Sequence, residues 1–306
     1  MNQHKPIRRI GRWRLTREFA WDALARRAGR RRQAKGYAIL AAIPADSVGR
    51  EIFRNGLYEE DLLLAIFDGV LEHYKAAFAS STALDVGANI GNHTLFLSQR
   101  FRQVIAFEPN PPAAMICEAN VLLNGVANVH VIKRGLSDRD GSERFSVSDM
   151  QNLGGGCFGA TAGNDTRSIL LPLRCGDREL EGLQVNGRIA LIKVDVEGHE
   201  LPVLRGLAAT LREHSPFILF ESNRTAGANG GAEIVAWLRE VGYNHLYSIG
   251  RSWALAPNAQ GAYGRWVGIV DLCTAYLRGG SYWLHELNAL EERAYPLLLA
   301  TKLPLA

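Results

Sequence analysis

The stretch Ala83-Leu-Asp-Val-Gly-Ala-Asn-Ile-Gly-Asn-His-Thr-Leu-Phe96 carries the sharpest pattern in the chain. An apolar run reaches Asp85, a short loop with Gly87 and Gly91 follows, and apolar residues then recur at helical spacing. Glycines let a backbone approach a ligand closely, and the first turn of a helix offers unpaired N–H groups. The glycine spacing is not the G-x-G-x-x-G of dinucleotide-binding folds, and the Asp85 carboxylate would repel a diphosphate. The segment therefore predicts a strand, loop and helix that bind a cationic group.

Two further strand ends carry related chemistry. The second apolar run ends at Glu108, and an acidic residue there accepts hydrogen bonds from both hydroxyls of a ribose. A third run leads to Ser137 and Asp138, which we expect to reach an adenine. A lone Asp-x-Gly is more often an ordinary turn, so the prediction depends on the order and spacing of the three acids. Together they indicate S-adenosylmethionine as cofactor, with the predicted binding residues Asp85, Gly87, Asn89, Gly91, Asn92, Glu108, Asn110, Ser137, Asp138 and Asp195.

The rest of the chain predicts a doubly wound α/β fold. Short apolar runs alternate with helix-like segments, which is typical of a largely parallel sheet with helices on both faces. This alternation of apolar runs and helix-like segments stops between Ile132 and Ile189, which predicts an inserted hairpin and loop there. The stretch from Tyr282 to Leu299 is predicted to be helical and suited to a dimer contact. The predicted organisation is a partly helical basic arm (1–40), a helical segment packed on the core (41–80), the cofactor-binding domain with an insert near 139–188 (81–273), and a C-terminal helical extension (274–306).

Charge is distributed unevenly along the 306 residues. The net charge is +4, but residues 1–35 alone carry +10 and the remaining residues carry −6. This charge distribution describes a mildly acidic globule with a basic arm, and it disfavours a protein that binds nucleic acid along its whole length. The arm is compatible with a solvated tail, a nucleic-acid patch, or a basic helix that contacts anionic membrane peripherally. Four scattered cysteines without a CxxC pair argue against a disulfide framework or a structural zinc site, so we expect a soluble, cytoplasmic protein.

Four segments together resemble a known family. They are LDVGANIGNHTLF (84–96), FEPNP (107–111), GLSD (135–138) and IKVDVEGHELPVLRG (192–206), and they resemble the FkbM family of S-adenosylmethionine-dependent methyltransferases. The resemblance implies a class I methyltransferase fold, Rossmann-like, with a mostly parallel seven-stranded sheet. It also implies O-methyl transfer to a hydroxyl of a sugar, glycan or secondary metabolite. The segment Gly56–Glu59 resembles a short family stretch, which predicts either closure over the methionine end of the cofactor or a place for Tyr58 in the core.

The fourth strand, Ile189–Val194, leads into the candidate catalytic residues. Methyl transfer is an in-line displacement, and an alcohol acceptor needs a base to take its proton. His199 is the first candidate because its ordinary pKa lies near neutrality, with Asp195 or Glu197 orienting it or acting directly. The alternative is that the acidic residues merely cap a helix N-terminus.

The fifth strand ends at Glu221 and Asn223, next to Asp195 in the expected strand order. Their oxygens predict a site for Mg²⁺ or another divalent cation, and hydrogen bonds among the same groups are the alternative. Two competing functions remain at this point. The first is nucleic-acid methylation, which is disfavoured because DVEG stands where base methyltransferases carry an Asn/Asp-Pro-Pro-aromatic run. The second is a non-catalytic scaffold that binds the cofactor.

Overall fold

A computed structural model describes residues 38–43, 47–147, 156–158, 167–222, 230–251, 282–290 and 295–305. The main sheet is built from β1 (Thr82–Val86), β2 (Gln103–Phe107), β3 (Val129–Ile132), β8 (Ile189–Val194), β9 (Phe217–Ser222), β10 (His245–Arg251), β11 (Tyr282–Glu286) and β12 (Tyr295–Thr301). The insert region holds β4 (Gly135–Ser137), β5 (Gly141–Val147), β6 (Gly156–Phe158) and β7 (Arg167–Cys175). The helices are α1 (Ser47–Asn55), α2 (Glu60–Ala65), α3 (Lys75–Phe78), α4 (Asn92–Ser98), α5 (Pro111–Leu123), α6 (Gly176–Glu181), α7 (Glu200–Gly206), α8 (Ala208–His214) and α9 (Gly230–Glu240).

The main sheet is mixed and has the strand order β11-β10-β12-β9-β8-β1-β2-β3. The five neighbouring strands β9-β8-β1-β2-β3 pair in parallel, whereas β12 is antiparallel to both of its neighbours, β9 and β10. Successive residues of β1 alternate between two apolar clusters: Leu84 and Val86 pack with α7 and α9, and Ala83 packs with the N-terminal helices and α4. Because side chains alternate along a strand, these clusters lie on opposite faces of the sheet, as predicted for a doubly wound fold.

The predicted C-terminal helix is wrong. Residues 282–286 and 295–301 form β11 and β12, and the main sheet has eight strands among the described residues, where seven were predicted. Leu297, Leu298, Leu299 and Ala300 are all buried, because β12 runs between β9 and β10. A short run of consecutive apolar residues suits a buried strand as well as a buried helix, and periodicity alone does not separate them.

The N-terminal helical segment also differs from a single continuous helix. Between residues 60 and 78 the chain forms α2, a π-helical turn at Ile66–Val70, a 3₁₀ turn at Glu72–Tyr74, and α3. Its apolar side chains still share one face, and Ile66, Phe67, Leu71 and Phe78 are buried against Phe96 and Phe101. The segment is therefore part of the core that supports β1 and α4.

The insert folds into a small second sheet of order β4-β7-β5-β6. Strands β5 and β7 form a long antiparallel pair, and β4 pairs with β7 in parallel. The basic arm, residues 1–35, and the predicted metal ligand Asn223 lie outside the described residues. In the portion that the structure describes, no helix combines the length and the apolar character needed to cross a bilayer.

Candidate active site

The loop after β1 is shaped by two glycines in left-handed backbone conformations. Gly87 has φ +81°, and a Cβ atom there would lie 1.8 Å from the carbonyl oxygen of Asp195. Gly91 has φ +86°, and its Cβ atom would lie 2.8 Å from Sγ of Cys117. Both positions need glycine because the loop packs tightly against the backbone at the end of β8 and against Cys117 on α5. The structure thus shows the glycines fixing the shape of the loop, where we predicted a close approach to ligand.

Glu108 lies at the carboxyl end of β2 and is buried. Its two carboxylate oxygens each accept a backbone N–H, one from Asn89 and one from Asn110, both at 2.8 Å. Burial raises the pKa of Glu108 to about 7, although these two hydrogen bonds and the charge of Lys193 act to lower it. Each oxygen keeps a further lone pair for a ligand hydroxyl.

Asn89 and Asn110 flank this carboxylate. Asn89 has φ +50°, and its side-chain Oδ1 is buried without a hydrogen-bond partner among the described residues. Asn110 precedes α5 and is buried. A buried acceptor without a donor is costly unless a ligand or water supplies one, so the loop leaves a place for a donor beside Glu108.

Asp85, Lys193 and Asp195 form a buried chain of charges. Asp85 and Lys193 are register partners on β1 and β8. The Lys193 ammonium lies 3.3 Å from Oδ1 of Asp85 and 3.2 Å from Oδ2 of Asp195, and it donates to the carbonyl of Gly87 at 3.1 Å. Asp85 is fully buried, and its other oxygen accepts from the Thr94 hydroxyl at 2.6 Å. Asp85 therefore anchors Lys193 and α4, and the predicted direct contact between Asp85 and a cofactor gains no support from its surroundings.

Asp195 and Glu221 share a proton at the adjacent ends of β8 and β9. Burial and the neighbouring charge of Asp195 raise the pKa of Glu221 to about 9, so Glu221 is protonated at neutral pH and donates to Asp195. Burial acts to raise the pKa of Asp195, but the Lys193 ammonium and the hydrogen bond from Glu221 outweigh it and hold that pKa below its usual value. About a third of the Asp195 side chain is exposed, at 34%.

The predicted divalent-cation site at Asp195 and Glu221 does not fit this arrangement. The Lys193 ammonium lies 3.2 Å from Oδ2 of Asp195, where it takes the place of a cation beside that carboxylate. Within the described ranges, no group of three or more His, Cys, Asp or Glu side chains is placed to hold a metal ion. A hydrogen bond between Asp195 and Glu221 agrees with the alternative for these two acids, and Asn223 lies outside the described residues.

Glu197 lies on the loop between β8 and α7, in a left-handed conformation with φ +52°. Such a conformation is costly for a residue with a side chain and is found preferentially at functional sites. Burial, together with the charges of Asp195 and Glu200, raises the pKa of Glu197 to about 7. Glu200 closes the same loop, because its Oε1 accepts the N–H groups of Val196 and Gly198 at 3.3 and 3.0 Å. Glu200 thus stabilises the loop before α7, and among the described residues no side chain caps that helix at its N-cap, His199.

His199 has different neighbours. Its Nε2 lies 3.0 Å from the hydroxyl of Ser137, the ring is buried, and Glu143, Asp138 and Arg139 supply the charges that act on it. Burial lowers the pKa of His199, so the ring is neutral near pH 7. Ser137 is fully buried and Asp138 is partly exposed at the start of the insert. His199 thus ties β4 to α7, while Asp195, Glu197 and Glu221 influence one another at the open strand ends.

Asn92 holds the N-terminal segment against α4. Its Oδ1 accepts the N–H of Tyr58 at 2.9 Å, and its Nδ2 donates to the carbonyl of Tyr58 at 3.0 Å. Sequence reasoning placed Asn92 at the cofactor and overlooked Lys193. A lysine in the apolar run Ile189–Val194 was the available signal, because a charge in a buried parallel strand needs a partner.

The comparison with known families decides the assignment. The model of the methyltransferase FkbM domain matches residues 85–244, more than half of the chain. The chain belongs to the FkbM methyltransferase family. The matched range contains every predicted site residue, and the predicted Rossmann-like class I methyltransferase fold is confirmed, with eight strands in place of seven.

Individual relatives are more distant. "Methyltransferase 1" of Beauveria bassiana is 29% identical over 145 residues, 42% of this chain and 58% of the relative. Hexuronic acid methyltransferase AglP of Haloferax volcanii is 33% identical over 138 residues, 45% of this chain and 54% of the relative. The FkbM chain therefore spans just over half the length of these curated relatives. The crystal structure of an FkbM methyltransferase from Methylobacillus flagellatus KT is 17% identical, has a TM-score of 0.40, and covers 69% of this chain and 58% of that chain.

Proposed function

We propose that this protein is an S-adenosylmethionine-dependent O-methyltransferase that acts on a hydroxyl of a sugar, glycan or secondary metabolite. The observation that carries the proposal is the row of acidic side chains at the carboxyl ends of β2, β8 and β9, where ligands bind in open α/β sheets. Asp85 and Asp195 share the single positive charge of Lys193, so this edge keeps a net negative charge although Glu221 is protonated. The sugar assignment is supported by the relative that is named as a hexuronic acid methyltransferase.

The residues at β2 fit the nucleoside part of this cofactor. Glu108 offers two carboxylate oxygens that backbone N–H groups hold in place, and Asn89 offers an unused buried acceptor beside them. A ribose supplies the matching hydroxyl donors. When bound, S-adenosylmethionine supplies a methyl group that its sulfonium already activates, so the protein has to align the acceptor and remove its proton.

Glu197 is the group best suited to take that proton. A general base works best when its pKa lies near the working pH, and the pKa of Glu197 is about 7. Asp195 is the weaker base because Lys193 and Glu221 stabilise its charged form. Protonated Glu221 donates its one proton to Asp195 and so holds that carboxylate at the same edge. His199 is buried against Ser137 and is assigned a positioning role.

The proposal is tested by incubating the purified protein with S-adenosylmethionine labelled in its methyl group. The acceptor panel contains p-nitrophenyl β-glucoside, p-nitrophenyl β-glucuronide, a hydroxylated macrolide aglycone, transfer RNA and duplex DNA. We expect label in a sugar or aglycone as an alkali-stable methyl ether, which distinguishes a hydroxyl acceptor from a carboxylate. Label that enters only nucleic acid, or only an alkali-labile ester, contradicts the proposal. Cofactor binding without any transfer supports a scaffold function.

Cofactor affinity is expected to fall as the pH drops below 7. Ribose hydroxyls bind the charged form of Glu108, whose pKa in the free protein is about 7, so the proton must leave on binding. The dissociation constant measured by calorimetry should then rise up to about tenfold per pH unit below 7 and level off above it.

Glu108→Gln should weaken binding at pH 8 and abolish this pH dependence, because the amide NH₂ would face a backbone N–H of Asn89 or Asn110. The matched control is Glu118→Gln on α5, where a partly exposed carboxylate pairs with Lys133. An affinity in Glu108→Gln that still falls between pH 8 and 6 excludes Glu108 as the titrating group.

A further inference from the structure

Helix α5, which connects β2 to β3, is apolar on its outer face as well as on its buried inner face. The large side chains of the outer face are exposed: Met115 at 63%, Leu122 at 79% and Leu123 at 55%. Between residues 109 and 129, Glu118 is the only charged residue. A surface helix ordinarily carries charged and polar residues on its outer face. Large apolar side chains grouped on an exposed face mark an interaction site.

Two asparagines bind the N-terminal segment 38–43 along the side of this helix. Asn124 accepts the N–H of Ile39 and donates to its carbonyl, both at 2.8 Å. Asn120, one turn earlier, accepts the N–H of Ala41 at 2.7 Å and donates to its carbonyl at 3.1 Å. Four helical residues and two residues of an extended chain both advance by about 6–7 Å, so the two spacings match. The segment is therefore fixed on α5 as a strand would be on its neighbour.

The order of these contacts places the start of the described chain at the C-terminal end of α5. Ile39 pairs with Asn124, the residue that follows the helix, and Ala41 pairs one turn further in. Ile39 is itself 63% exposed, whereas Leu40 packs against the core. Ile39 thus extends the exposed apolar face of the helix. We call this set the α5 surface: Ile39, Met115, Leu122 and Leu123.

The basic arm joins the chain at the edge of the α5 surface. Residues 1–35 carry a charge of +10, and Lys35 is four positions before Ile39. Four residues of chain span at most about 14 Å, so positive charge is bound to lie close to the exposed apolar side chains. An anionic lipid bilayer accepts both features, because its headgroups attract basic residues and its interface takes up apolar side chains.

Two other partners match only one of these features. A second copy of the chain that packs on the same surface would bring two arms of charge +10 together, and like charges oppose that contact. Nucleic acid suits the arm but not the α5 surface, because protein–nucleic-acid interfaces are polar and basic.

We propose that the α5 surface and residues 1–35 together bind the protein peripherally to anionic lipid bilayers. The apolar side chains of the α5 surface enter the headgroup region, and the arm binds the anionic lipids around them. Asn120 also donates to the carbonyl of Ile90 at 2.8 Å, so the surface is joined to the loop after β1. This binding is separate from methyl transfer and does not depend on it.

The test is co-sedimentation of the whole 306-residue chain with vesicles of equimolar phosphatidylcholine and phosphatidylserine at low salt. We expect the wild type to bind these vesicles and to bind pure phosphatidylcholine vesicles at least about tenfold more weakly. Added salt should release the protein from the mixed vesicles, because it screens the attraction between the arm and the headgroups.

The double variant Met115→Gln/Leu122→Gln tests the α5 surface. We expect it to bind the mixed vesicles about tenfold more weakly than the wild type, because two apolar side chains no longer enter the lipid. The matched control is Leu170→Gln/Leu303→Gln, which replaces two leucines of similar exposure, 70 and 77%, outside α5. The control should bind like the wild type, and both variants should keep its melting temperature because all four positions are exposed.

Unchanged vesicle binding by Met115→Gln/Leu122→Gln overturns the role of the α5 surface, and equal binding to both kinds of vesicle overturns the role of the arm. A wild type that binds neither kind overturns the whole proposal. Light scattering then identifies a second copy as the partner if this variant dissociates a dimer, and retention of duplex DNA assigns the arm to nucleic acid. Methyl transfer without vesicle binding refutes the lipid contact and leaves the proposed function standing.

Discussion

Replacing Lys193 with methionine is expected to lower the free energy of unfolding by about 3–5 kcal/mol, since it breaks a buried ion pair from one side. The ammonium lies 3.3 Å from a carboxylate oxygen of Asp85, which is fully buried, so loss of the lysine leaves a buried charge without its counterion. Methionine has a similar length and preserves the packing of β8, so the change isolates the charge. Urea denaturation followed by circular dichroism at pH 7 measures the loss.

The double variant Asp85→Asn/Lys193→Met removes both buried charges and should recover most of that free energy. It also leaves Asp195 without its counterion, so the pKa of Asp195, which Lys193 holds down, should rise. Lys133→Met is the control, because this lysine pairs with Glu118 at the surface and its loss should change stability by less than about 1 kcal/mol. A double variant as unstable as Lys193→Met would show that the lysine acts mainly through contacts other than Asp85.

The strand, loop and helix around residue 85 could be predicted because their pattern is local. An apolar run, two glycines and a following helical period lie within fourteen residues, and each follows from backbone geometry. The role of Asp85 could not be predicted in the same way. It depends on the register that sets Asp85 opposite Lys193, which lies 108 positions further along the chain. A carboxylate that anchors a lysine and one that faces a ligand look the same in sequence.

The position of β12 between β9 and β10 could not be predicted either, because it also depends on strands that are distant in the sequence. Leu297–Ala300 is apolar throughout, and only the neighbouring strands make it a strand. The proton shared by Asp195 and Glu221 also arises from adjacency across β8 and β9. The sequence placed the two acids at neighbouring strand ends, yet only their surroundings separate a metal site from a hydrogen-bonded pair, because Lys193 fills the position next to Asp195.

Residue type alone also does not predict which side chain has a pKa suited to a general base. Residue type favours His199 because its ordinary pKa lies near neutrality, but burial lowers that pKa and the ring contacts the Ser137 hydroxyl. Glu197 has an ordinary pKa too low for the task, and its half-buried position beside Asp195 and Glu200 raises it to about 7. Burial thus moves the two pKa values in opposite directions, because desolvation disfavours the charged form of each group.

Glu197→Gln is accordingly expected to lower kcat by about 10²–10⁴-fold, the usual contribution of a general base. Cofactor affinity should not change, because the cofactor contacts are assigned to β2 and its loop. In the wild type, kcat at saturating cofactor should rise with pH through about 7 and level off above it, since Glu197 must lose its proton to act. Saturating cofactor removes the separate pH dependence expected from Glu108. The variant should show a low rate without this rise.

His199→Gln decides between the two candidate bases. A glutamine amide can replace Nε2 in the contact with Ser137, so this variant should keep kcat within a few-fold of the wild type and retain the rise near pH 7. If His199→Gln loses the rise and Glu197→Gln keeps it, the base is His199. The chemistry would then have to occur on the β4 side of α7, where Ser137, Asp138 and Glu143 lie, and the proton-sharing pair at Asp195 would serve only to hold the strand ends together.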